Sequence, residues 1–328
     1  MGLDDIDRKL LNLIQGEFPL SREPFADLGR RLDLSGEQVI QRVQSLKSEG
    51  IVRQIGPVLE PRSLGYQTTL VAMIVAGSRL GKATQVIGEH PGISHAYLRE
   101  NRLNLWLTLA LPSASDLASE VQHLADLIGA EAVIDLPALR VFKIRVHFDM
   151  VGDEEGYVPN TEAGCGGYAH REYPLSSTDR DLINQLQQDL PLVEKPFDAM
   201  SACLGMTSSE YLNRCQALRE RGIMRRFGAS IKHSRVGFVA NAMACWKVPS
   251  DRVDLVAQKL TAARKVSHCY ERKTAPLWPY NLFAMIHGRT RDTCQHIAGK
   301  VSGETGLEDY VLLFSSKELK KVRVKYLV

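Results

Sequence analysis

An internal duplication constrains this chain more than any other feature. About sixty residues near the start of the 328-residue sequence recur at a constant offset of 172 positions, without an insertion in either copy. One folding unit is therefore present twice, and the fold must be built from two copies of it. The identities that define the offset are Asp7-Arg8 with Asp179-Arg180, Pro24-Phe25 with Pro196-Phe197, Gly50-Ile51 with Gly222-Ile223, Arg53 with Arg225, and Gly65 with Gly237.

Each unit begins with the pattern of a helix-turn-helix. Apolar residues at helical spacing predict first helices over residues 4–15 and 176–187, and a second helix over residues 25–32. Ser35-Gly36-Glu37-Gln38 is a capping box that predicts the start of a third helix, which Gly50 ends. Residues 51–59 and 223–232 then predict a small two-stranded wing in each unit. Three helices and a wing indicate a winged helix-turn-helix.

The remainder of each unit alternates strands and helices. In the first unit the patterns predict a strand over residues 68–75, a helix over 81–90, strands over 92–99 and 103–111, a helix over 113–128 and an extended segment over 132–148. This β-α-β-β-α-β order indicates a ferredoxin-like domain, and the second unit repeats it. We therefore predict an α+β tandem repeat that forms a pseudo-dimer. Its predicted parts are winged helix-turn-helix domains at 1–64 and 175–236, ferredoxin-like domains at 65–150 and 237–328, and a glycine-rich linker at 151–174.

Composition excludes several classes of protein. With 44% hydrophobic and 24% charged residues, the chain has the composition of a globular protein with ordinary cores. It has no apolar run of membrane-spanning length, and its first residues lack the pattern of a signal peptide, so we expect a cytoplasmic location and no membrane partner. All six cysteines lie in the second half without a Cys-x-x-Cys pair, which argues against a disulfide framework or a structural zinc site. The net charge of +3 does not select a partner.

A polar motif occurs once in each unit. The spacing Ser-His-x-Tyr-x-Arg, followed by Asn-Leu-aromatic, appears in both predicted ferredoxin-like domains. Alternate residues of a strand project from one face, so each His, Tyr and Arg triplet shares a face. A single copy would fit an amphipathic strand facing water, but two copies at matching positions favour a lined cleft. The two triplets are His95, Tyr97 and Arg99, and His268, Tyr270 and Arg272.

The order of domains resembles the Lrp/AsnC architecture of amino-acid-responsive regulators, in which two ferredoxin-like domains pair across their sheets. A more specific resemblance, to the sirohaem decarboxylases, rests on Arg225-Arg226-Phe227-Gly228-Ala229, the stretch from Val266 to Arg272, and Tyr280-Asn281-Leu282-Phe283. Members of that family act in alternative haem synthesis and in making the haem of dissimilatory nitrite reductase, commonly as two related subunits. This chain looks like both subunits fused. The first unit departs from the pattern at Gln54 and Pro57, and it lacks a counterpart of the Trp278 loop.

The resemblance implies a substrate and roles for the motif residues. Sirohaem is a flat iron macrocycle with eight carboxylates, and the family converts its acetate side chains to methyl groups, giving 12,18-didecarboxysirohaem. Either histidine could donate the required proton or bind the substrate iron, and either tyrosine could assist; His287 is a weaker candidate. The reaction implies no separate cofactor. The departures in the first unit predict that one site dominates, built mainly by the second unit and completed by the first. Residues expected to bind the substrate are Arg225, Arg226, Arg272, Lys273, Trp278, Arg53 and Arg99, and those expected to be catalytic are His268, Tyr270, His95 and Tyr97.

Two other functions remain open from sequence alone. One is a DNA-binding transcription regulator, although the predicted third helices carry net charges of only zero and +1, which makes tight DNA binding unexpected. The other is a protein that binds sirohaem or a related iron tetrapyrrole without altering it. The sequence also leaves open whether the intramolecular pseudo-dimer assembles further into a homodimer.

Overall fold

A computed structural model describes residues 3–144, 150, 174–237 and 239–326. All but the last residue of the predicted linker at 151–174 lies outside these ranges.

Both units contain the predicted three helices. In the first unit these are α1 (Asp5–Gly16), α2 (Pro24–Leu32) and α3 (Gly36–Ser48), and in the second α6 (Ser177–Leu186), α7 (Pro196–Ala202) and α8 (Ser208–Glu220). The capping box at Ser35 is confirmed, because its hydroxyl accepts from the Gln38 amide while the Gln38 side chain accepts from the Ser35 amide. Local sequence therefore decided where α3 begins.

The strands of the predicted wings pair between the two units rather than within each unit. Each unit supplies one wing strand, β1 (Val52–Leu59) or β6 (Met224–Ile231), and these two strands pair with each other in an antiparallel ribbon centred on Gly56 and Gly228. The prediction of a two-stranded wing within each unit is therefore wrong. A single strand leaves its backbone donors and acceptors unpaired, and pairing between the units satisfies them.

The helix-turn-helix modules are also interlocked. The Phe18 amide, which follows α1, donates to the Phe227 carbonyl of β6 over 3.0 Å, and the Leu190 amide donates to the Ile55 carbonyl of β1 over 3.1 Å. A methyl group on Gly228 would lie 2.8 Å from the Ile14 carbonyl oxygen, so this close crossing requires glycine. Both modules share one apolar core, which fixes the wing relative to the rest of the chain.

The ferredoxin-like prediction is confirmed in both units. The first contains β2 (Tyr66–Ile74), α4 (Leu80–Glu89), β3 (Ile93–Arg99), β4 (Leu105–Pro112), α5 (Leu117–Ile128) and β5 (Ala132–Ile144). The second contains β7 (Ala240–Trp246), α9 (Val253–Ala262), β8 (Val266–Arg272), β9 (Leu282–Gly288), α10 (Arg291–Thr305) and β10 (Tyr310–Lys321). The sheet orders are β3-β4-β2-β5 and β8-β9-β7-β10, so equivalent strands occupy equivalent places.

The two sheets join edge to edge into a closed eight-stranded barrel. The last strand of each unit is long: β5 pairs first with β2 and then with β8, while β10 pairs first with β7 and then with β3. Closure leaves the barrel without an open edge strand. The chain is thus a pseudo-dimer in which each unit completes the sheet of the other. Among the described residues, no helix has the length and apolar character needed to cross a membrane.

The barrel interior is apolar at one end. The loops that follow Arg99 and Arg272 bring Leu103 and Trp278 into a buried cluster with Trp106, whose ring centroid lies 5.1 Å from that of Trp278. Separate apolar clusters cover the outer faces of the two sheets, beneath α4 and α5 in one unit and α9 and α10 in the other. Arg99 and Arg272 adjoin this inner cluster, since they donate to the carbonyls of Leu313 and Leu136, respectively.

Candidate functional site

The two triplets face each other inside the barrel. Ala96 and Leu98 of β3 pack in the outer apolar cluster of the first unit, and Cys269 of β8 packs in that of the second. The alternating residues of each triplet consequently project inward. Since β3 and β8 are four places apart in a ring of eight strands, the triplets lie on opposite walls. Both units contribute to this interior; that the triplets line a cleft, and that the second unit supplies most of it, stay predictions.

The wing ribbon lies against the end of the barrel where His95 and its partner Lys321 lie, which we call the histidine end. Arg53 of β1 donates from Nη1 to the Lys321 carbonyl over 2.7 Å and from Nη2 to Glu318 Oε1 over 2.9 Å. Arg323, just beyond β10, donates from Nη2 to the Gly228 carbonyl of β6 over 3.2 Å. These contacts position the basic residues of the wing over the triplets.

The histidines and tyrosines of the triplets face an enclosed space. His95, Tyr97, His268 and Tyr270 each keep some accessible surface. Desolvation by surrounding protein is nevertheless the largest cause of each pKa shift, lowering the pKa of both histidines and raising that of both tyrosines. Accessible surface together with strong desolvation is expected of groups that line a cavity between the wing and the barrel.

Burial and nearby cations keep both histidines neutral at pH 7. Burial is the main cause that lowers the pKa of His268 to about 3, with further lowering by the charges of His95 and Lys321. Burial also lowers the pKa of His95 to about 4, assisted by Lys321 and Arg53 and opposed by Glu318. That His95 acts on His268 places the two histidines within electrostatic reach of each other.

Hydrogen bonds orient the two imidazoles unequally. His95 Nδ1 lies 2.9 Å from Ser94 Oγ, and His268 Nδ1 lies 2.7 Å from Ser267 Oγ. In the second unit the serine also contacts another histidine, with Ser267 Oγ 2.6 Å from His287 Nε2. His287 therefore supports His268 through Ser267 rather than lining the cavity as an equal of the triplet histidines.

The depressed histidine pKa values predict a pH-dependent stability. An unfolded histidine titrates near about 6.5, so between that pH and about 4 the unfolded chain binds more protons than the folded chain. The free energy of unfolding should therefore fall as the pH is lowered through this window, by up to about 1.4 kcal/mol per pH unit for each histidine. Denaturant unfolding at pH 7, 6, 5 and 4 measures the slope, and the His95→Gln, His268→Gln double variant should flatten it. An unchanged slope in that variant would contradict the assignment.

Positive charge is concentrated around the cavity. Arg99 and Arg272 each donate from Nη1 to a backbone carbonyl over 2.8 Å, and neither forms an ion pair with a carboxylate in the described part of the chain. Burial lowers the pKa of Arg323 to about 10, and the like charge of Arg226 lowers it further. Glu318 and Glu60 contact Arg53 and Arg225, respectively. The cationic side chains of this region are Arg53, Arg99, Arg225, Arg226, Arg272, Lys321 and Arg323, an arrangement suited to a ligand with several carboxylates.

Two predicted binding residues are not brought to the histidine end. Lys273 is exposed just after β8, where its backbone amide donates to the Pro137 carbonyl over 3.1 Å. Trp278 is 3% exposed and belongs to the apolar cluster at the other end of the barrel. The prolines and polar residues around Trp278 suggested a loop open to a ligand. The loop instead folds inward, and the Trp278 side chain packs against the apolar residues at that end of the barrel.

Sequence reasoning missed three charged residues of the site. Glu318, Lys321 and Arg323 lie on or just after β10, and their roles depend on β10 crossing into the sheet of the first unit. The sequence 317–323 has four basic residues, one acidic residue and two apolar residues, and this concentration of charge is the signal that could have drawn attention to it. No local pattern, however, predicts which strand it would join.

Comparison with known proteins places this architecture in a family. A family model of the AsnC-like ligand binding domain matches residues 63–143 and 235–320, and one of the siroheme decarboxylase NirDL-like HTH domain matches residues 7–53 and 179–225. A siroheme decarboxylase of Hydrogenobacter thermophilus is 37% identical over 97% of this chain and 94% of its own length. The chain belongs to the sirohaem decarboxylase family.

Other members of the sirohaem decarboxylase family show how the two units relate. A siroheme decarboxylase NirDL subunit of Paracoccus denitrificans is 32% identical over 97% of this chain and 96% of its own length. A siroheme decarboxylase beta subunit of Methanosarcina barkeri is 39% identical over 46% of this chain but 99% of its own length. One unit of this chain thus corresponds to a whole subunit in that relative, which agrees with the predicted fusion.

A solved structure in the sirohaem decarboxylase family matches the whole fold. The crystal structure of the siroheme decarboxylase NirDL is similar with a TM-score of 0.72 and 33% identity, covering 99% of this chain and 95% of that one. The same protein has been solved in co-complex with an iron-uroporphyrin III analogue, with the same TM-score and coverage. A member with this fold therefore accommodates an iron tetrapyrrole.

Proposed function

We propose that this protein is a carboxy-lyase that converts acetate side chains of sirohaem to methyl groups, yielding 12,18-didecarboxysirohaem for haem biosynthesis, most directly for the haem of nitrite reductase. The observation that carries the proposal is the pair of His-Tyr-Arg triplets facing each other across the barrel interior, where cationic side chains act on the histidines. A cavity of this kind suits a flat substrate with carboxylates around its rim. Membership in the sirohaem decarboxylase family supports the same assignment.

The chemistry requires one proton for each acetate. The bond between the methylene carbon and the carboxylate breaks, its electron pair stays on the methylene carbon and spreads into the macrocycle, and carbon dioxide leaves. A proton then completes the methyl group. Since electrons are neither gained nor lost overall, the proposed reaction needs no cofactor besides the iron that belongs to the substrate.

His95 and His268 are the proposed proton donors, and the substrate itself would prepare them. Both imidazoles are neutral at pH 7 because of burial and neighbouring cations. Carboxylates of a bound macrocycle would offset those cations and raise both pKa values toward neutrality, so protons would be taken up as the substrate binds. Tyr97 and Tyr270 lie two residues along the same strands, on the same face, where they can hydrogen-bond the reacting side chain. A neutral histidine that binds the substrate iron is the alternative role.

A single-turnover experiment without oxygen tests the proposed function. Sirohaem is added to an excess of protein, and its binding is followed by absorbance. The tetrapyrrole is then extracted and its mass is measured by mass spectrometry. Loss of two carbon dioxide molecules per macrocycle is the expected result. A spectral change with unchanged mass would instead identify a carrier that binds the macrocycle without altering it.

We also expect no tight DNA complex. On α3, Arg42 is held by Asp4 and Asp7 at 2.9 and 2.7 Å, and on α8 Arg214 pairs with Glu210 at 3.0 Å. Basic side chains engaged in this way neutralise fewer phosphates, so affinity for duplex DNA should be weak. A salt titration against random and genomic duplexes should show no nanomolar complex at physiological ionic strength. A nanomolar, sequence-dependent complex would favour the transcription regulator instead.

A further inference from the structure

Each half of the cavity contains one triplet, but the strand residues that pair with the two triplets differ. On one wall β10 runs beside β3, with Glu318 paired to Tyr97 and Lys321 paired to His95. On the opposite wall β5 runs beside β8, with Val141 paired to Tyr270 and Ile144 paired to His268. The His95 half is therefore flanked by a carboxylate and an ammonium group, and the His268 half by two aliphatic side chains.

Lysines on the outer side of β10 and β5 show which residues of these two strands correspond. The register shifts at matching places in the two pairings, between Glu318 and Lys320 in one and between Val141 and Lys143 in the other. Lys320 Nζ donates to the Ile87, Gly88 and His90 carbonyls at the end of α4, and Lys143 Nζ donates to the Thr261 and Ala263 carbonyls at the end of α9. Lys320 thus corresponds to Lys143, and Lys321 corresponds to Ile144.

Simple alignment of the two sequences hides this difference. Lys143-Ile144-Arg145 and Lys321-Val322-Arg323 look equivalent as strings, but the pairing registers place Ile144 and Lys321 at the same position. The side chain beside each histidine is consequently apolar in one half and cationic in the other.

Lys321 is arranged to receive an anion. Within the described part of the chain its ammonium group makes no hydrogen bond or ion pair. Arg53 and Glu318, whose charges act on it, contact each other. Burial lowers the pKa of Lys321 to about 8, so the side chain remains largely protonated at pH 7. A partly buried cation of this kind gains most from an anionic ligand that enters the cavity.

Resting on the proposed function, we propose that Lys321 binds the acetate presented to His95 and thereby orders the reaction, so that the acetate presented to His268 is lost first. An ion pair stabilises the carboxylate before reaction, whereas in the transition state the negative charge moves toward the ring and away from the ammonium group. The pair therefore raises the barrier in the His95 half. Beside His268, the positions of β5 that pair with the triplet carry the aliphatic Val141 and Ile144, and the cations that act on this histidine (Lys321, Arg225 and Arg226) belong to β10 and β6. The strand beside His268 therefore adds no charge that stabilises the carboxylate, which favours its conversion to neutral carbon dioxide.

The ratio of the two mono-decarboxylated isomers tests the ordering. In single-turnover reactions without oxygen, quenched early and separated by chromatography with mass detection, the unaltered protein should accumulate one isomer over the other by at least about tenfold. Lys321→Ile copies the opposite wall and should bring the isomers toward equal amounts. Lys321→Arg keeps the charge but cannot release a proton at neutral pH, so it should preserve the bias.

The isomer ratios of the unaltered protein and of the Lys321 variants can each contradict the proposed ordering. Equal isomers from the unaltered protein, or an unchanged bias in Lys321→Ile, would overturn the ordering. Lys321→Arg behaving like Lys321→Ile would also overturn it, because a proton-donating lysine would then explain the data. Ile144→Lys is the reciprocal variant, expected to equalise the isomers by adding a cation beside His268, and it decides the question should Lys321→Ile fail to fold. No mass loss in the unaltered protein would instead refute the proposed decarboxylation, whatever the role of Lys321.

Discussion

Replacing Arg225 and Arg226 together by alanine is expected to weaken sirohaem binding at least about tenfold. Both lie on β6 of the wing, and their charges add to burial in lowering the pKa of His268. Charge-assisted hydrogen bonds to carboxylates contribute roughly 1.5–3 kcal/mol each, and losing even one of them suffices for that change. Arg225 also contacts Glu60, so its removal would leave a carboxylate facing an anionic substrate.

A matched control separates these contacts from general electrostatics. The Arg214→Ala, Arg219→Ala double variant removes the same charge from α8, where the two side chains pair with Glu210 and Glu17. Its affinity should stay within about twofold of the unaltered protein in an absorbance titration without oxygen. Equal losses of affinity in both double variants would indicate non-specific electrostatic attraction. Unchanged affinity in both would indicate that Arg225 and Arg226 have only a structural role in the wing.

Local sequence was sufficient for most of the fold. The capping box at Ser35, the C-terminal glycines and the helical spacing of apolar residues act within a few residues of chain, so they predicted α1, α2 and α3 closely. The repeat at an offset of 172 then extended the same prediction to the second unit. The triplets were also recognisable, because strand alternation alone places His95, Tyr97 and Arg99 on one face.

Pairing between the two units could not be predicted from local patterns. The strand-forming character of β1 and β6 is evident in the sequence, but whether each pairs within its own unit or across to the other depends on how the units dock. The same holds for β5 and β10, whose second halves leave their own sheets to close the barrel. Lys321 was overlooked for this reason: it becomes a site residue only through its pairing with His95. The burial of Trp278 could not be predicted either, because it depends on how the loop after β8 packs against the end of the assembled barrel.

Replacing either triplet histidine by alanine is expected to stop the reaction after one decarboxylation. His95 and His268 lie on opposite walls of one cavity, so a single bound macrocycle would present one acetate to each. General acid catalysis contributes roughly 10²–10⁴-fold, so each variant should slow its own step by at least about a hundredfold and leave the other step largely intact. The double variant should bind sirohaem and release almost no carbon dioxide. His123→Ala, on the outer helix α5, is a control that should leave both steps unchanged.

The mass distribution of products in single-turnover reactions of His95→Ala, His268→Ala and the double variant tests the shared cavity most directly. We predict a singly decarboxylated macrocycle from each single variant, of opposite isomers in the two cases, and unaltered sirohaem from the double variant. Fully decarboxylated product from both single variants at about half the normal rate would show two independent sites and contradict a shared cavity.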